Sequence, residues 1–286
     1  GACFAAEGYA RRSGRAGVVL ATSGPGATNL VTGLADAYMD SVPLVAVTGN
    51  VPLAQLGHDS FQEVDIFDVS MPVTKYGIIV KSASEIAPAV RRAFALAESG
   101  RRGPVLIDIP SDILDCSAEY EPAEQERPLP LSPSESEVKA AAELIASREK
   151  PLIYAGGGAA QAGAEKQLME LARLLKAPVV TSYMGIGCCS PDYPRFLGVL
   201  SDTNAKAVTA VRECDLFITV GARFNSRYGA FGALHKRRIP LLQFDSDRAE
   251  IDKNVPASAA VIGDAALALD ALLPLVAEKE GAVWEY

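Results

Sequence analysis

Short apolar runs alternate along this chain with longer stretches in which apolar residues recur every three or four positions. Runs of the first kind are typical of buried β-strands, and stretches of the second kind are typical of amphipathic helices. Strands are predicted at 17–21, 43–48, 78–80, 104–109, 151–155, 178–181, 216–220, 240–244 and 260–262. Helices are predicted at about 2–13, 28–39, 84–98, 135–147, 163–176, 204–213 and 264–278. This alternation predicts an α/β protein in which parallel sheets are covered by helices on both faces.

The alternation is interrupted between the fourth predicted strand and the fourth predicted helix. Residues 119–135 are rich in Glu, Pro and Ser and show neither helical nor strand periodicity. Such a segment buries too little apolar surface to fold by itself and is typical of an extended connector. We therefore predict two doubly wound parallel-sheet domains, at 1–118 and 136–286, joined by a linker at 119–135.

The composition is that of a folded globular protein, because 49% of the 286 residues are hydrophobic and 22% are charged. The net charge is −8 without a block of like charges, which argues against nucleic acid as a partner, since a duplex binder needs a concentrated basic face. No run reaches the roughly 18 to 20 apolar residues of a membrane span, and no charged start precedes an apolar core as in a secretion signal. We predict a cytoplasmic protein with no membrane partner.

The five cysteines are odd in number and lack the paired spacing of a metal site, and only two histidines are present to help. Free cysteine behaves as a small apolar residue, so these side chains are predicted to be reduced and mostly buried. Cys188 and Cys189 are the one pair that merits a redox test. No metal ligands are assigned.

A glycine-rich turn follows the first predicted strand. Residues 22–29 read Thr-Ser-Gly-Pro-Gly-Ala-Thr-Asn, between the apolar run at 17–21 and a predicted helix. Gly24 and Gly26 allow backbone conformations and close approaches that a Cβ obstructs, and Pro25 stiffens the turn. The turn is therefore either a place where backbone groups hold a ligand or an ordinary connection between a strand and a helix.

Further segments make the first half of the chain recognisable. They read Ala-Ala-Glu-Gly-Tyr-Ala at 5–10, Gly-Leu-Ala-Asp-Ala at 33–37, Ser-Val-Pro-Leu-Val at 41–45, Phe-Gln-Glu at 61–63, Thr-Lys at 74–75 and Arg-Arg-Gly-Pro-Val at 101–105. Together with the turn at 22–29, they resemble the pyrimidine-binding domain of thiamine diphosphate enzymes, in particular the acetolactate synthase catalytic subunit. The resemblance continues more weakly to the end of the chain.

The resemblance implies which side chains serve the thiamine site. Pro25 and Asn29 would line the aminopyrimidine pocket, and Gln62 would reach both cofactor and substrate from a neighbouring loop. Gln62 is a candidate catalytic residue with Phe61, which matches an aromatic residue that keeps water from the reacting groups, and Lys75, whose role stays open. Without the resemblance, the same residues suit helix capping for Asn29, loop solvation for Gln62, core packing for Phe61 and surface charge for Lys75.

The resemblance also implies FAD in the second domain. A glycine turn at 156–158 follows a predicted strand, and the segments at 180–185, 220–227, 244–247 and 263–264 match those that surround FAD in the family. An arginine suits a flavin because its guanidinium offers a planar fork of donors to phosphate or ring oxygens. The implied FAD contacts are Arg101 from the first domain and Gly221, Arg223, Arg227, Asp245 and Asp264 from the second.

The sequence departs from the family pattern in three places. Ser111 replaces a lysine that borders the substrate channel, and Asn225 replaces an aspartate. The segment 197–200 reads Leu-Gly-Val-Leu instead of Leu-Gly-Met-His, so the methionine and histidine that cover the flavin in relatives are missing. These departures weaken the case for FAD and leave the substrate preference open.

The implied reaction is the decarboxylation of pyruvate on thiamine diphosphate and the joining of the two-carbon unit to a second 2-keto acid, in branched-chain amino acid biosynthesis. The family's catalytic glutamate would stand two residues before Gly1. The Gly-Asp-Gly segment that holds magnesium and the diphosphate has no counterpart, because Gly263-Asp264 runs into a predicted helix. We therefore expect a truncated, catalytically silent chain whose magnesium site lies elsewhere.

The family builds each active site from two subunits, so a homodimer or tetramer is expected, with a regulatory subunit as a further candidate partner. Two alternatives stay open. One is another thiamine diphosphate carboligase or decarboxylase, acting on glyoxylate, oxalyl-CoA or sulfoacetaldehyde. The other is a non-catalytic nucleotide-binding or assembly module.

Overall fold

The computed structural model describes residues 1–124, 129–224, 232, 234 and 237–286. These residues form two compact units, Gly1–Leu129 and Pro130–Tyr286. The division falls inside the segment predicted as a linker, and each unit is built around its own parallel sheet. The prediction of an α/β protein with two parallel-sheet domains is confirmed.

The first unit contains a four-stranded parallel sheet in the order β1-β2-β4-β3. The strands are β1 (Gly17–Ala21), β2 (Leu44–Asn50), β3 (Tyr76–Ile79) and β4 (Pro104–Pro110). The helices are α1 (Ala2–Ser13), α2 (Pro25–Thr28), α3 (Val31–Asp40), α4 (Ile66–Ser70), α5 (Ala83–Glu98) and α6 (Ser111–Leu114). Helices α1 and α3 pack on one face of the sheet, and α5 packs on the other.

Burial along the strands follows their place in this sheet. Every residue of β4 is buried, as expected of an inner strand covered on both faces. Strand β1 lies at the edge, and its side chains alternate between buried and exposed. Val18 is 47% exposed and Leu20 is 72% exposed, so one face of β1 presents apolar side chains to solvent.

The second unit contains a six-stranded parallel sheet in the order β10-β9-β8-β5-β6-β7. The strands are β5 (Pro151–Ala155), β6 (Val179–Thr181), β7 (Phe196–Val199), β8 (Leu216–Val220), β9 (Leu241–Asp245) and β10 (Ala259–Ile262). The helices that the structure describes are α7 (Glu135–Ala146), α8 (Gly157–Gln161), α9 (Glu165–Leu175), α10 (Ala205–Glu213) and α11 (Ala265–Leu272). The chain leaves β5 toward β7 and then returns to build from β8 to β10, so the strand order reverses between β5 and β8. This reversal is the topological switch point of a doubly wound sheet.

The predicted strands are found within a few residues of their expected positions, but two predictions were incomplete. Strand β7 was missed because it is an edge strand with a glycine in its middle and only half-buried side chains. The helix predicted at 264–278 ends at Leu272 and continues as a short 3₁₀ turn at Leu273–Leu275. Pro274 lies in that turn, and proline has no backbone N–H to continue the α-helical bonding.

Within the described ranges, no helix combines the length and the apolar character that crossing a bilayer requires.

Four of the five thiols are buried, as predicted: Cys3, Cys188, Cys189 and Cys214. Burial raises the pKa of Cys3 and of Cys189 to about 11, and the pKa of Cys188 and of Cys214 to about 12. Since the thiolate is the reactive form, these four side chains are poor nucleophiles. A redox role for the adjacent pair Cys188 and Cys189 is therefore not favoured. Cys116, just after α6, is exposed.

This difference predicts the thiol titre of the native protein. Ellman's reagent at pH 8 is expected to modify one thiol of the five rapidly, and all five after denaturation. The Cys116→Ser variant is the control, and its native titre should fall to zero. Rapid reaction of a second thiol in native Cys116→Ser would show that one of the buried cysteines is accessible.

Candidate functional site

The turn after β1 touches the loop after β2 through backbone atoms. Gly24 has φ 57° and ψ −116°, a conformation that side-chain-bearing residues rarely adopt. A Cβ on Gly24 would lie 2.6 Å from the carbonyl oxygen of Gln62 and 3.0 Å from its Cα. The sequence places glycine where a Cβ would clash with the Gln62 backbone, and this contact joins the turn to the loop.

The loop that carries Gln62 is closed by one carboxylate. Glu63 accepts hydrogen bonds from the backbone N–H of Gly57 and from that of Ser60, the latter at 2.8 Å. These bonds, that of Ser60 first, hold the pKa of Glu63 below its ordinary value. The Ser60 hydroxyl also donates to the carbonyl of Gln55 at 3.2 Å. Residues 55–63 therefore form a compact loop, which we call the Gln62 loop.

The side chains around the Gly24 contact stand open to solvent. Phe61 is 88% exposed, and Pro25, Asn29 and Gln62 are exposed as well. Within the part of the chain that the structure describes, the side-chain amides of Asn29 and Gln62 have no hydrogen-bond partner. Helix capping by the Asn29 side chain, the alternative weighed above, is thus not observed. The turn and the loop, joined at Gly24, thus carry two free amides, a proline and an aromatic ring.

A buried carboxylate lies in the sheet beneath this surface, and the sequence reading missed it. Asp108 of β4 is fully buried and accepts hydrogen bonds from the Thr48 hydroxyl at 2.7 Å and from the Asn50 amide at 2.6 Å, both on β2. Burial raises the pKa of Asp108, and the bonds from Asn50 and Thr48 oppose that effect. The sequence feature that could have revealed it is an aspartate within the apolar run at 104–109, which predicts a buried strand.

Two other predicted residues of the first unit lie at the opposite end of the sheet. The Lys75 ammonium, just before β3, donates to the carbonyls of Leu96 at 2.6 Å and Ser99 at 2.7 Å, at the end of α5. Arg101, just before β4, donates to the Ser41 hydroxyl at 3.1 Å. Because the strands are parallel, residues preceding them share the amino edge, whereas the Gly24 contact is at the carboxyl edge. The structure does not bring Lys75 or Arg101 to Pro25 and Gln62.

In the second unit, glycines meet at the switch point. A Cβ on Gly156 would lie 2.1 Å from the Gly221 carbonyl oxygen, and one on Gly158 would lie 2.8 Å from the Gly221 Cα. The N–H of Gly158 donates to the Gly221 carbonyl at 2.9 Å. The turns after β5 and β8 are thus packed backbone against backbone, at the edge where doubly wound sheets bind ligands.

Apolar side chains are exposed beside these turns. Tyr183 is 52% exposed, Met184 39% and Ile186 62%, all just after β6. A Cβ on Gly157 would lie 2.9 Å from the Met184 Cβ, so this group adjoins the glycine turn. Exposed apolar groups next to a glycine turn form a surface suited to a flat ring system.

The predicted acidic residues of this unit serve as backbone caps. Asp264 accepts from the N–H groups of Ala266 and Leu267 at the start of α11, at 3.0 and 3.2 Å. Asp245, at the end of β9, accepts from the N–H of Asp247 at 3.0 Å. Both still lie at carboxyl ends of strands, as Gly221 does.

The remaining predictions for the second unit are less complete. Arg223 follows Gly221 and is half-buried. Asn225 and Arg227 lie outside the described residues. Leu200, which stands in the segment where relatives carry a histidine, is fully buried in the core. Among the described residues, no cluster of three or more His, Cys, Asp or Glu side chains is arranged to hold a metal ion.

Comparison with known families matches both units. The family described as "Thiamine pyrophosphate enzyme, N-terminal TPP binding domain" matches residues 1–69. The family described as "Thiamine pyrophosphate enzyme, central domain" matches residues 138–272.

Individual relatives point the same way. The chain is similar to an acetolactate synthase of Arthrospira platensis, 44% identical over 92% of this chain and 47% of the relative. It is equally similar, at 44% identity, to a probable acetolactate synthase large subunit of Methanocaldococcus jannaschii, over 96% of this chain and 48% of that protein. The acetolactate synthase isozyme 2 large subunit of Escherichia coli is also 44% identical, over 96% of this chain and 50% of its own length. The chain thus spans about half the length of these relatives.

The Gly24 contact predicts the effect of adding one methyl group. Gly24→Ala combines a positive φ with a clash against the Gln62 backbone, so we expect a loss of about 1–3 kcal/mol in the free energy of unfolding of the first unit. Urea unfolding followed by circular dichroism measures it. Gly14→Ala is the control for a positive φ without a clash, because Gly14 has φ 72° and ψ 7° with no atom within 4 Å of its Cβ position. Equal losses in the two variants would mean that the contact with Gln62 carries no energetic weight.

Proposed function

We propose that this chain, which belongs to the thiamine pyrophosphate enzyme family and is homologous to acetolactate synthase large subunits, contributes the pyrimidine-binding and central domains of an acetolactate synthase. The proposal concerns the activity of the larger enzyme, because the chain spans about half of its relatives. Acetolactate synthases are the relatives that match, and no feature of the structure favours the other carboligases or a non-catalytic module.

One observation carries the proposal: the free amides of Asn29 and Gln62 stand on two segments joined at Gly24, at the carboxyl edge of a parallel sheet. An aminopyrimidine presents ring nitrogens that accept hydrogen bonds and an amino group that donates them. A side-chain amide both donates and accepts, so the amide pair suits that ring edge. Ligands of open α/β sheets bind at this edge. The residues present therefore fit the pyrimidine of thiamine diphosphate.

The roles proposed for the chain's own residues are those that the resemblance implies. Asn29 and Gln62 orient the pyrimidine ring, and Pro25 supports it from the turn. Phe61, exposed beside Gln62, excludes water from the reacting groups. When bound, thiamine diphosphate supplies the electron sink for the loss of carbon dioxide from a 2-keto acid. A catalytic contribution from Lys75 stays a prediction, since its ammonium is engaged at the end of α5.

The proposed substrates are pyruvate and a second 2-keto acid. Pyruvate loses carbon dioxide, and its two-carbon remainder forms a carbon–carbon bond with the keto carbon of the second acid. The diphosphate, its magnesium ion and the glutamate that assists the pyrimidine are proposed to be bound or supplied by residues outside this chain. Isolated, the chain is expected to be inactive. A cytoplasmic location, a homo-oligomer and a regulatory subunit stay predictions.

FAD is proposed as a second ligand, at the carboxyl edge of the six-stranded sheet. The close approach of Gly156 and Gly158 to Gly221 leaves backbone rather than side chains at the switch point. Tyr183 and Met184 offer an exposed apolar surface beside it. Arg223, with Arg227, is proposed to meet phosphate or ring oxygens. A contact of Arg101 with FAD stays a prediction, since its guanidinium donates to the Ser41 hydroxyl in the first unit. Asp245 and Asp264 are proposed to flank the ribityl and adenosine side.

Binding of thiamine diphosphate tests the main proposal. Saturation-transfer NMR on the isolated chain is expected to show the strongest contact at the pyrimidine methyl group. Asn29→Ala and Gln62→Ala should each weaken binding about three- to tenfold, the range for losing one neutral hydrogen bond. Gln55→Ala removes an exposed amide from the same loop and should leave binding unchanged. Contact at the thiazolium alone, or equal weakening by Gln55→Ala, would contradict the proposed site.

FAD binding is tested separately by quenching of flavin fluorescence on titration with the chain. Tyr183→Ala is expected to weaken binding about three- to tenfold, the range for one aromatic stacking partner. Tyr9→Ala is the control, since Tyr9 is 54% exposed against 52% for Tyr183 and lies in the first unit. Absence of quenching by the unaltered chain, or equal losses in both variants, would remove FAD from the assignment.

A further inference from the structure

The buried carboxylate of Asp108 is linked through a single amide to the segment that leads from β2 into the Gln62 loop. One Asp108 oxygen accepts from the Thr48 hydroxyl, and the other accepts from the Asn50 amide nitrogen. The amide oxygen of Asn50 accepts in turn from the backbone N–H of Val51 at 2.9 Å. The Thr48 hydroxyl donates a hydrogen bond to the carboxylate and, in the described part of the chain, makes no bond to the segment after β2. Asn50 also accepts a hydrogen bond from Val51, the first residue after β2.

A second carboxylate bonds the backbone two residues after Val51. Asp112, in α6 just after β4, accepts from the backbone N–H of Leu53 at 3.1 and 3.3 Å. Leu53 begins the 3₁₀ turn Leu53–Gln55, which leads into the Gln62 loop. The entrance to that loop is therefore bonded to β4 and α6 at two successive points.

Burying the carboxylate of Asp108 in the sheet costs free energy. A carboxylate with no exposed surface loses its hydration, and the other residues of β4 are apolar and offer it no hydrogen-bonding side chain. Asn50 suits it because an amide is a donor and an acceptor at once, so it bonds both the carboxylate and the Val51 N–H. Apolar residues such as leucine or valine at positions 50 and 108 would fill the space but leave the Val51 N–H without its partner.

We propose that Asp108, Asn50 and Asp112 are positioning residues that hold the Gln62 loop, and with it Phe61 and Gln62, in place for the pyrimidine of thiamine diphosphate. The purpose assigned to the loop rests on the proposed function. None of the three side chains has to touch the cofactor. They act through the backbone of residues 51–55, and the Gly24 contact and Glu63 complete the arrangement.

The test compares two variants that remove a bond from the same buried carboxylate. Asn50→Leu removes the side chain that joins Asp108 to Val51, at the start of the segment leading into the loop. Thr48→Val removes a bond to Asp108 that does not involve this segment. Amide hydrogen exchange is read at Gly57 and Ser60, which bond to Glu63 and not to the altered side chains. Asn50→Leu is expected to speed exchange there about tenfold more than Thr48→Val, the effect of losing a hydrogen bond that restrains local opening. Equal exchange in both variants would overturn the proposal.

A second pair at exposed positions applies if Asn50→Leu does not fold. Asp112→Ala removes the carboxylate that bonds Leu53, and Asp115→Ala removes an exposed carboxylate just beyond α6. Faster exchange at Gly57 and Ser60 in Asp112→Ala alone supports the proposal, and identical exchange in both variants overturns it.

Thiamine diphosphate titrations of the same variants separate this proposal from the proposed function. Exchange is measured without ligand, so it reports on the loop whether or not the cofactor binds. Weaker binding in Asn50→Leu or Asp112→Ala, with their controls unchanged, supports the positioning role. A loosened loop with unchanged binding overturns that role and leaves the proposed function standing. No binding by the unaltered chain overturns the proposed function, and the assigned purpose of these residues with it.

Discussion

The contact between Gly24 and the backbone of Gln62 is the constraint on which the candidate thiamine site depends. Parallel strands bring the segments after β1 and β2 to one edge, but proximity alone does not fix two loops against each other. Removing a Cβ lets the backbones meet at a distance that would otherwise be a clash, with 2.6 Å from the missing atom to the Gln62 oxygen. The two segments that carry the free amides are thereby joined. The candidate site therefore depends on the absence of a Cβ at Gly24 as much as on the side chains that surround it.

The second unit uses the same principle at its switch point. Gly156, Gly158 and Gly221 allow two turns to pack so tightly that a backbone N–H of one bonds a carbonyl of the other. Charged side chains nearby serve the fold first, since Asp264 caps α11 and Asp245 braces the turn after β9. Backbone groups and exposed apolar side chains therefore form part of this edge.

Periodicity in the sequence predicted most of the fold because inner strands of parallel sheets are continuous apolar runs. It failed at β7, an edge strand whose half-buried residues give no such run. The glycine turn was recognisable in sequence, but its partner Gln62 was identified by resemblance, because no local pattern announces a contact across the sheet edge. Lys75 and Arg101 were also assigned by resemblance, and their present partners at the amino edge depend on tertiary contacts that spacing does not encode. Asp108 was overlooked for the same reason, since one aspartate in an apolar run does not reveal which neighbours will satisfy it.

Strand β1 carries a consequence for how this chain behaves when it is prepared alone. In the described residues it is an edge strand, so one row of its backbone N–H and C=O groups has no neighbouring strand, and Val18 and Leu20 lie bare beside that row. An open, apolar edge of this kind is a template for intermolecular strand pairing and hence for aggregation. In concentrated samples, the strand that leads into the turn at 22–29 is therefore prone to pair with a second molecule.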